Sequence, residues 1–167
     1  MNPSRSTGFT LVELIIALAV IAILATLAAP ALAKLLQTSR DQAAMEELNT
    51  LLHHARSRAV EHKRTLRLCP SLNGIDCSTD WSQPWLLSTE QGKKLYHSTP
   101  YSGSRPLQWS GFSDAIRFHG NGTSPISNGR FYICDEQAIT RQLVINRQGR
   151  IRRAGIQENQ EQSHRCL

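Results

Sequence analysis

Twenty consecutive residues without a formal charge, Leu14 to Ala33, constrain this chain more than any other feature. They are mostly Leu, Ile, Ala and Val, and a helix needs about 20 such residues to cross the hydrocarbon core of a bilayer. The stretch reads as one membrane-spanning helix, and the polar remainder as a domain held on one side of the membrane. At 167 residues, the chain has room for one domain beyond that helix. Glu13 stands at the start of the stretch, with no further charge before Lys34. A carboxylate inside a membrane segment costs roughly 2.5–3.5 kcal/mol, and such residues are usually functional.

An ordinary secretory signal carries its small-residue cleavage site after the apolar region. Here Gly8 precedes that region, and the polar segment Met1–Gly8 carries one charge, Arg5. Cleavage near Ala28-Ala29-Pro30 would leave Glu13 unexplained, whereas cleavage after Gly8 makes Phe9 the first residue and Glu13 the fifth. The stretch GFTLVEL, followed by an uninterrupted apolar helix, resembles the type III prepilin leader of type IV pilins and type II secretion pseudopilins. That resemblance implies cleavage by a prepilin peptidase, N-methylation of Phe9, and packing of the helix into a filament core after it leaves the membrane. It also gives Glu13 a partner, the Phe9 amino group of a neighbouring subunit, and a buried carboxylate is tolerated only when paired. The plainer alternative keeps Glu13 hydrated at the membrane interface.

The helix is expected to run from about Phe9 to about His62, with a bend at Pro30, which lacks a backbone donor. Ala44, Leu48, Leu51, Leu52, Ala55 and Ala59 form one apolar stripe on a 3.6-residue period. Arg40, Asp41, Glu46, Glu47, Arg56, Arg58 and Glu61 are assigned to the opposite, polar face. His53 and His54 are adjacent, point in different directions on a helix, and read as solvated.

Beyond Lys63 the pattern turns to strands: Thr65–Cys69, Trp85–Thr89, Ala115–Gly120, Gly129–Asp135 and Gln142–Arg153, separated by Gly, Pro, Asn and Ser clusters. The last contains a turn at Arg147-Gln148-Gly149 and reads as a hairpin. Asn121-Gly122-Thr123 reads as a turn rather than a glycosylation acceptor. The expected class is α+β, a pilin-like long N-terminal helix on an antiparallel sheet domain. Its parts are a leader (1–8), an apolar helix (9–36), its amphipathic continuation (37–64) and a β-rich globular domain (65–167).

Four cysteines allow three disulfide connectivities, and sequence alone does not choose among them. Cys69 and Cys77 bracket a loop able to close on itself, which favours that pair and leaves Cys134 to tether the tail through Cys166. No CxxC or HxxxH spacing supports a metal site. No nucleophile elbow, phosphate loop or carboxylate pair supports catalysis or a cofactor. The chain reads as a substrate of an enzyme rather than as one.

The block LCPSLNGIDCSTDWSQPWLL, the stretch IRFHGNGTSPISNGRFYICD and the ending QLVINRQGRIRR resemble the GspH/FimT domain of minor pilins and pseudopilins. The shared features are the cysteine-bounded loop followed by tryptophan, the FxxxG turn, the GxFxxC strand and the terminal GRxR hairpin. The loop Trp85–His97 departs from the acidic run common in that family. Five arginines, Arg141, Arg147, Arg150, Arg152 and Arg153, lie where no acidic residue occurs from Gln137 to Gln157. Alternate residues of a strand share a face, so Arg150 and Arg152 are expected to project together while Ile151 points inward. Arginine forks match phosphate geometry, and the net charge of +6 suits a polyanion.

Gly149-Arg150-Ile151-Arg152 matches the GRxR motif, which the resemblance links to capture of double-stranded DNA in natural transformation. The implied partners are DNA, other major and minor pilins, prepilin peptidase and the inner membrane. The implied location is the inner membrane with a periplasmic domain, then the pilus. Two other roles fit the same family: a FimU-like subunit priming pilus assembly, and a type II secretion pseudopilin.

Overall fold

The computed structural model describes residues 10–167, which divide into two compact units, one ending at Leu36 and one spanning Gln37–Leu167. Helix α1 (Leu11–Glu61) contributes to both and continues through Pro30. In the first unit, Thr10 caps the helix, its Oγ1 accepting the N–H of Glu13 at 3.2 Å. Thr10 and Glu13 thus occupy the Thr-x-x-Glu positions of a capping box, and a carboxylate in the first turn suits the positive end of the helix dipole. The large apolar side chains from Leu11 to Leu36 are half or more exposed within this chain. Such a surface suits lipid or neighbouring apolar helices.

The second unit has the expected stripe. Ala44, Leu48, Leu51, Leu52, Ala55 and Ala59 are all buried. Asp41 is a correction: assigned to the polar face, it is 2% exposed. Its Oδ1 accepts the backbone N–H groups of Ser104 and Arg105 at 2.7 and 3.2 Å, which explains how a carboxylate stays inside.

Among the described residues, eight strands form two antiparallel sheets. Strands β1 (Leu66–Pro70), β2 (Trp85–Thr89), β3 (Lys94–His97) and β5 (Ile116–Phe118) make the first, in the order β3-β2-β1-β5. Strands β4 (Leu107–Gly111), β6 (Gly129–Asp135), β7 (Ala138–Ile145) and β8 (Ile151–Arg153) make the second, in the order β4-β6-β7-β8. One hydrophobic cluster joins the α1 stripe to both sheets through residues such as Leu68, Trp85, Phe118, Phe131 and Leu143. In it, the Phe131 ring lies 4.5 Å from Trp81 and 4.4 Å from Trp109, centroid to centroid.

Three elements run against the sequence reading. Strand β3 shows no burial alternation, since Lys94, Leu95 and Tyr96 are all exposed. Strand β4 is a short edge strand whose register is supplied by β6. The C-terminal tail is not strand or loose chain: it forms helix α2 (Ile156–Glu161) and a 3₁₀ turn (Ser163–Cys166). Disulfides join Cys69 to Cys77 and Cys134 to Cys166, so the tail is bonded to β6.

Candidate nucleic-acid interface

The arginine-rich ending folds as the β7–β8 hairpin, closed by a tight turn. Gly149 donates its N–H to the Asn146 carbonyl at 2.9 Å, and Asn146 Oδ1 accepts the Arg150 N–H at 2.9 Å. Gly149 has φ +72°, a conformation that costs a side-chain-bearing residue energy. Two further contacts pin the turn to the body. Ser124 donates its N–H to the Arg147 carbonyl at 3.0 Å, and Gly149 packs against the Gly122 carbonyl, which also accepts Arg56 Nε at 2.9 Å.

The five arginines are not equivalent. Arg147 and Arg150 are exposed, and their side chains make no ion pair or hydrogen bond among the described residues. Arg152 is held by Glu158 of α2 through two hydrogen bonds, Nη1–Oε2 at 2.6 Å and Nη2–Oε1 at 3.0 Å. Arg153 pairs with Glu46, and Arg141 donates to Gln42 Oε1 at 3.0 Å, both partners lying on α1. The i, i+2 spacing does keep Arg150 and Arg152 exposed on either side of buried Ile151, but it does not reveal that Arg152 is already engaged. The Arg152 and Arg153 contacts are surface ion pairs, worth roughly 0–1 kcal/mol each, and the Arg141 contact is a hydrogen bond to a neutral amide, so they bias the arginines without sequestering them.

Two basic residues absent from the sequence reading belong to the same surface. Arg130 on β6 and Arg147 line a shallow groove of about 320 Å³, together with Asn128, Asn146 and Gln148. Arg165, in the tail, donates to Ser110 Oγ on β4 at 2.9 Å. Only the strand register brings Arg130 beside the hairpin, and no local spacing signals it. Among the described residues, no group of three or more His, Cys, Asp or Glu side chains is placed to hold a metal. Gly8 and Phe9 lie outside the described residues.

A long helix, apolar in its first half and amphipathic in its second, carrying a disulfide-bonded domain of two antiparallel sheets, defines a pilin-type subunit. The prokaryotic N-terminal methylation motif matches residues 3–29, and the model of the type II transport protein GspH matches residues 44–149. The chain belongs to the GspH family, as a type IV minor pilin of the GspH/FimT type.

Among solved structures, it is similar to the type IV minor pilin FimU of Pseudomonas aeruginosa in two crystal forms. The first is 26% identical with TM-score 0.56, covering 71% of this chain and 90% of that one. The second is 26% identical with TM-score 0.53, covering 68% and 92%. No curated protein matches the chain. The methylation motif and apolar helix make it a single-pass inner-membrane protein with a periplasmic domain, later incorporated into the pilus. Family membership also implies processing by a prepilin peptidase and assembly with other pilins; pilins are structural proteins rather than known enzymes.

Proposed function

We propose that this minor pilin binds double-stranded DNA without sequence preference through the β7–β8 hairpin, during DNA uptake for natural transformation. The observation that carries this reading is the pair Arg147 and Arg150: both exposed, both unpaired among the described residues, and both on a turn held by hydrogen bonds and by packing against Gly122. A fixed turn adds little backbone ordering cost when its arginines meet a phosphate backbone, and phosphate contacts supply most non-specific affinity. Arg152 and Arg153 exchange their weak carboxylate pairs for phosphates, Gly149 shapes the turn, and Arg141 flanks it.

In the same reading, the Gly8–Phe9 bond is the peptidase site and Phe9 carries the methyl group. Glu13 pairs with the amine of a neighbouring subunit's Phe9. The functional parts are then the leader 1–8, the core helix 9–36, its continuation 37–64 and the domain 65–167.

The test uses the full mature chain in neutral detergent, with duplex DNA over a salt series. Each phosphate contact contributes about 0.9 to the log–log salt slope, so Arg147→Ala/Arg150→Ala should flatten it by about two contacts' worth. Affinity that does not change with salt would rule the reading out. The similarity to FimU favours a second reading, a structural subunit that primes pilus assembly. Deleting the gene separates them: lost transformation with normal pili supports the DNA role, lost pili the assembly role, and lost protein secretion a pseudopilin.

A further inference from the structure

The outer face of the second sheet carries a cross-strand row. Ser110 pairs with Arg130, Arg130 with Val144, and Val144 with Arg152. Neighbouring strands lie about 4.8 Å apart, so the two arginines of this row stand about 10 Å apart along the sheet.

Glu158 reaches over the row, accepting hydrogen bonds from Nη1 and Nη2 of Arg152 and lying 3.9 Å from Arg130 Nη1. Arg165 adds a third guanidinium from the Ser110 end. Arg152 and Arg130 thus share one carboxylate, and the positive charge of Arg165 acts on Arg130. Arg130 Nη1 is shielded from solvent and has no hydrogen-bond acceptor among the described residues. Burial lowers the Arg130 pKa, Arg165 and Arg152 lower it further, and Glu158 opposes them.

A purely structural role would make Glu158 an anchor for α2. Yet α2 buries none of its residues and has no side-chain cap, and a Cβ on the preceding Gly155 would meet nothing. The tail's firm attachment lies further on, at Cys134–Cys166. The bidentate fork that Arg152 offers Glu158 is the same fork that arginine offers two phosphate oxygens.

We propose that Arg130, Arg152 and Arg165 form a second phosphodiester-binding subsite on the outer face of this sheet, with Glu158 as a built-in counter-ion that an incoming phosphate displaces. The proposal rests on the DNA-binding reading above and extends it. The groove shared by Arg130 and Arg147 makes the subsite continuous with the hairpin turn. DNA held at Arg147 and Arg150 can therefore continue across the sheet once Glu158 swings aside.

The experiment compares Glu158→Gln with the unmutated chain, both full length in neutral detergent. Duplex DNA affinity should rise about threefold to tenfold, and the salt slope should steepen by about one contact. Adding Arg130→Gln or Arg152→Ala to Glu158→Gln should cancel the gain. In parallel, inorganic pyrophosphate should raise the melting temperature of Glu158→Gln more than that of the unmutated chain, and Arg152→Ala should abolish the difference.

If DNA binding requires Arg147 and Arg150 but neither Glu158→Gln nor pyrophosphate has any effect, the subsite is overturned and the hairpin reading stands. If no variant binds DNA but pyrophosphate still stabilises Glu158→Gln through Arg152, the anion subsite stands and the DNA reading falls. Should Glu158→Gln unfold the tail, Arg130→Gln alone decides: a loss of threefold or more in DNA affinity supports the subsite, and an unchanged affinity overturns it.

Discussion

A Cβ placed on Gly149 would stand 2.1 Å from the carbonyl oxygen of Gly122. The glycine at the head of the GRxR sequence is therefore a packing residue: it lets one turn rest on another, with Arg56 bonded to the same carbonyl. Gly149→Ala should cost about 1–3 kcal/mol through its left-handed conformation alone, and the clash with Gly122 adds to that. Denaturant unfolding of the variant would read the loss. DNA affinity should fall as well, because Arg147 and Arg150 move with the turn.

Asp41 connects α1 to the loop before β4. Beyond its two backbone hydrogen bonds, its Oδ2 lies 3.6 Å from Arg105 Nε, and Arg105 Nη2 lies 3.3 Å from Asp135. Removing one partner of a buried ion pair costs about 3–5 kcal/mol. Asp41→Ala should approach that range. Asp41→Asn should cost less, since an amide oxygen still accepts the Ser104 and Arg105 N–H groups. Urea midpoints for the two variants check the order, and equal losses would mean the backbone bonds contribute little.

Stability should fall at both ends of the pH range, for opposite reasons. The hydrogen bonds from Arg152 hold the Glu158 carboxyl below its ordinary value of 4.5. Its contribution is present above that value and disappears as acid protonates it in the folded chain. Burial, reinforced by Asp41, pushes the Tyr101 phenol well above its ordinary 10.0, while its hydroxyl donates to the Arg105 carbonyl at 2.9 Å. That contribution is complete below 10.0 and declines as pH rises beyond it. Melting temperatures should show Glu158→Gln flattening the acid limb and Tyr101→Phe flattening the alkaline one.

The two disulfides should differ in their effect. Cys134–Cys166 closes a separation of 32 residues and Cys69–Cys77 one of 8. The loop-entropy model gives about 3–4 kcal/mol for the first and about 2.5 for the second. Cys134→Ser/Cys166→Ser should therefore lower stability more than Cys69→Ser/Cys77→Ser. It should also free the tail to proteolysis, although Ser163 Oγ still accepts the Ile139 N–H at 3.0 Å. Limited proteolysis beside unfolding curves would test both statements.

What the sequence by itself determined is local. The uncharged stretch, the 3.6-residue stripe from Ala44 to Ala59 and the turn at Arg147-Gln148-Gly149 each depend on neighbours a few positions away, so periodicity and turn chemistry were enough to place them. The tertiary structure decided everything that depends on distant partners. Strands β3 and β4 exist because β2 and β6 pair with them, without an alternation of their own. Asp41 is buried because a loop 63 residues further on supplies its donor.

The arginines divide for the same reason. Arg153 meets a glutamate 107 residues away and Arg152 one carried by a helix absent from the sequence pattern, while Arg147 and Arg150 meet neither. Charge along a chain shows how many arginines there are, but a counter-charge acts through space and falls off with distance, so only the fold could decide which of them remain open to a ligand.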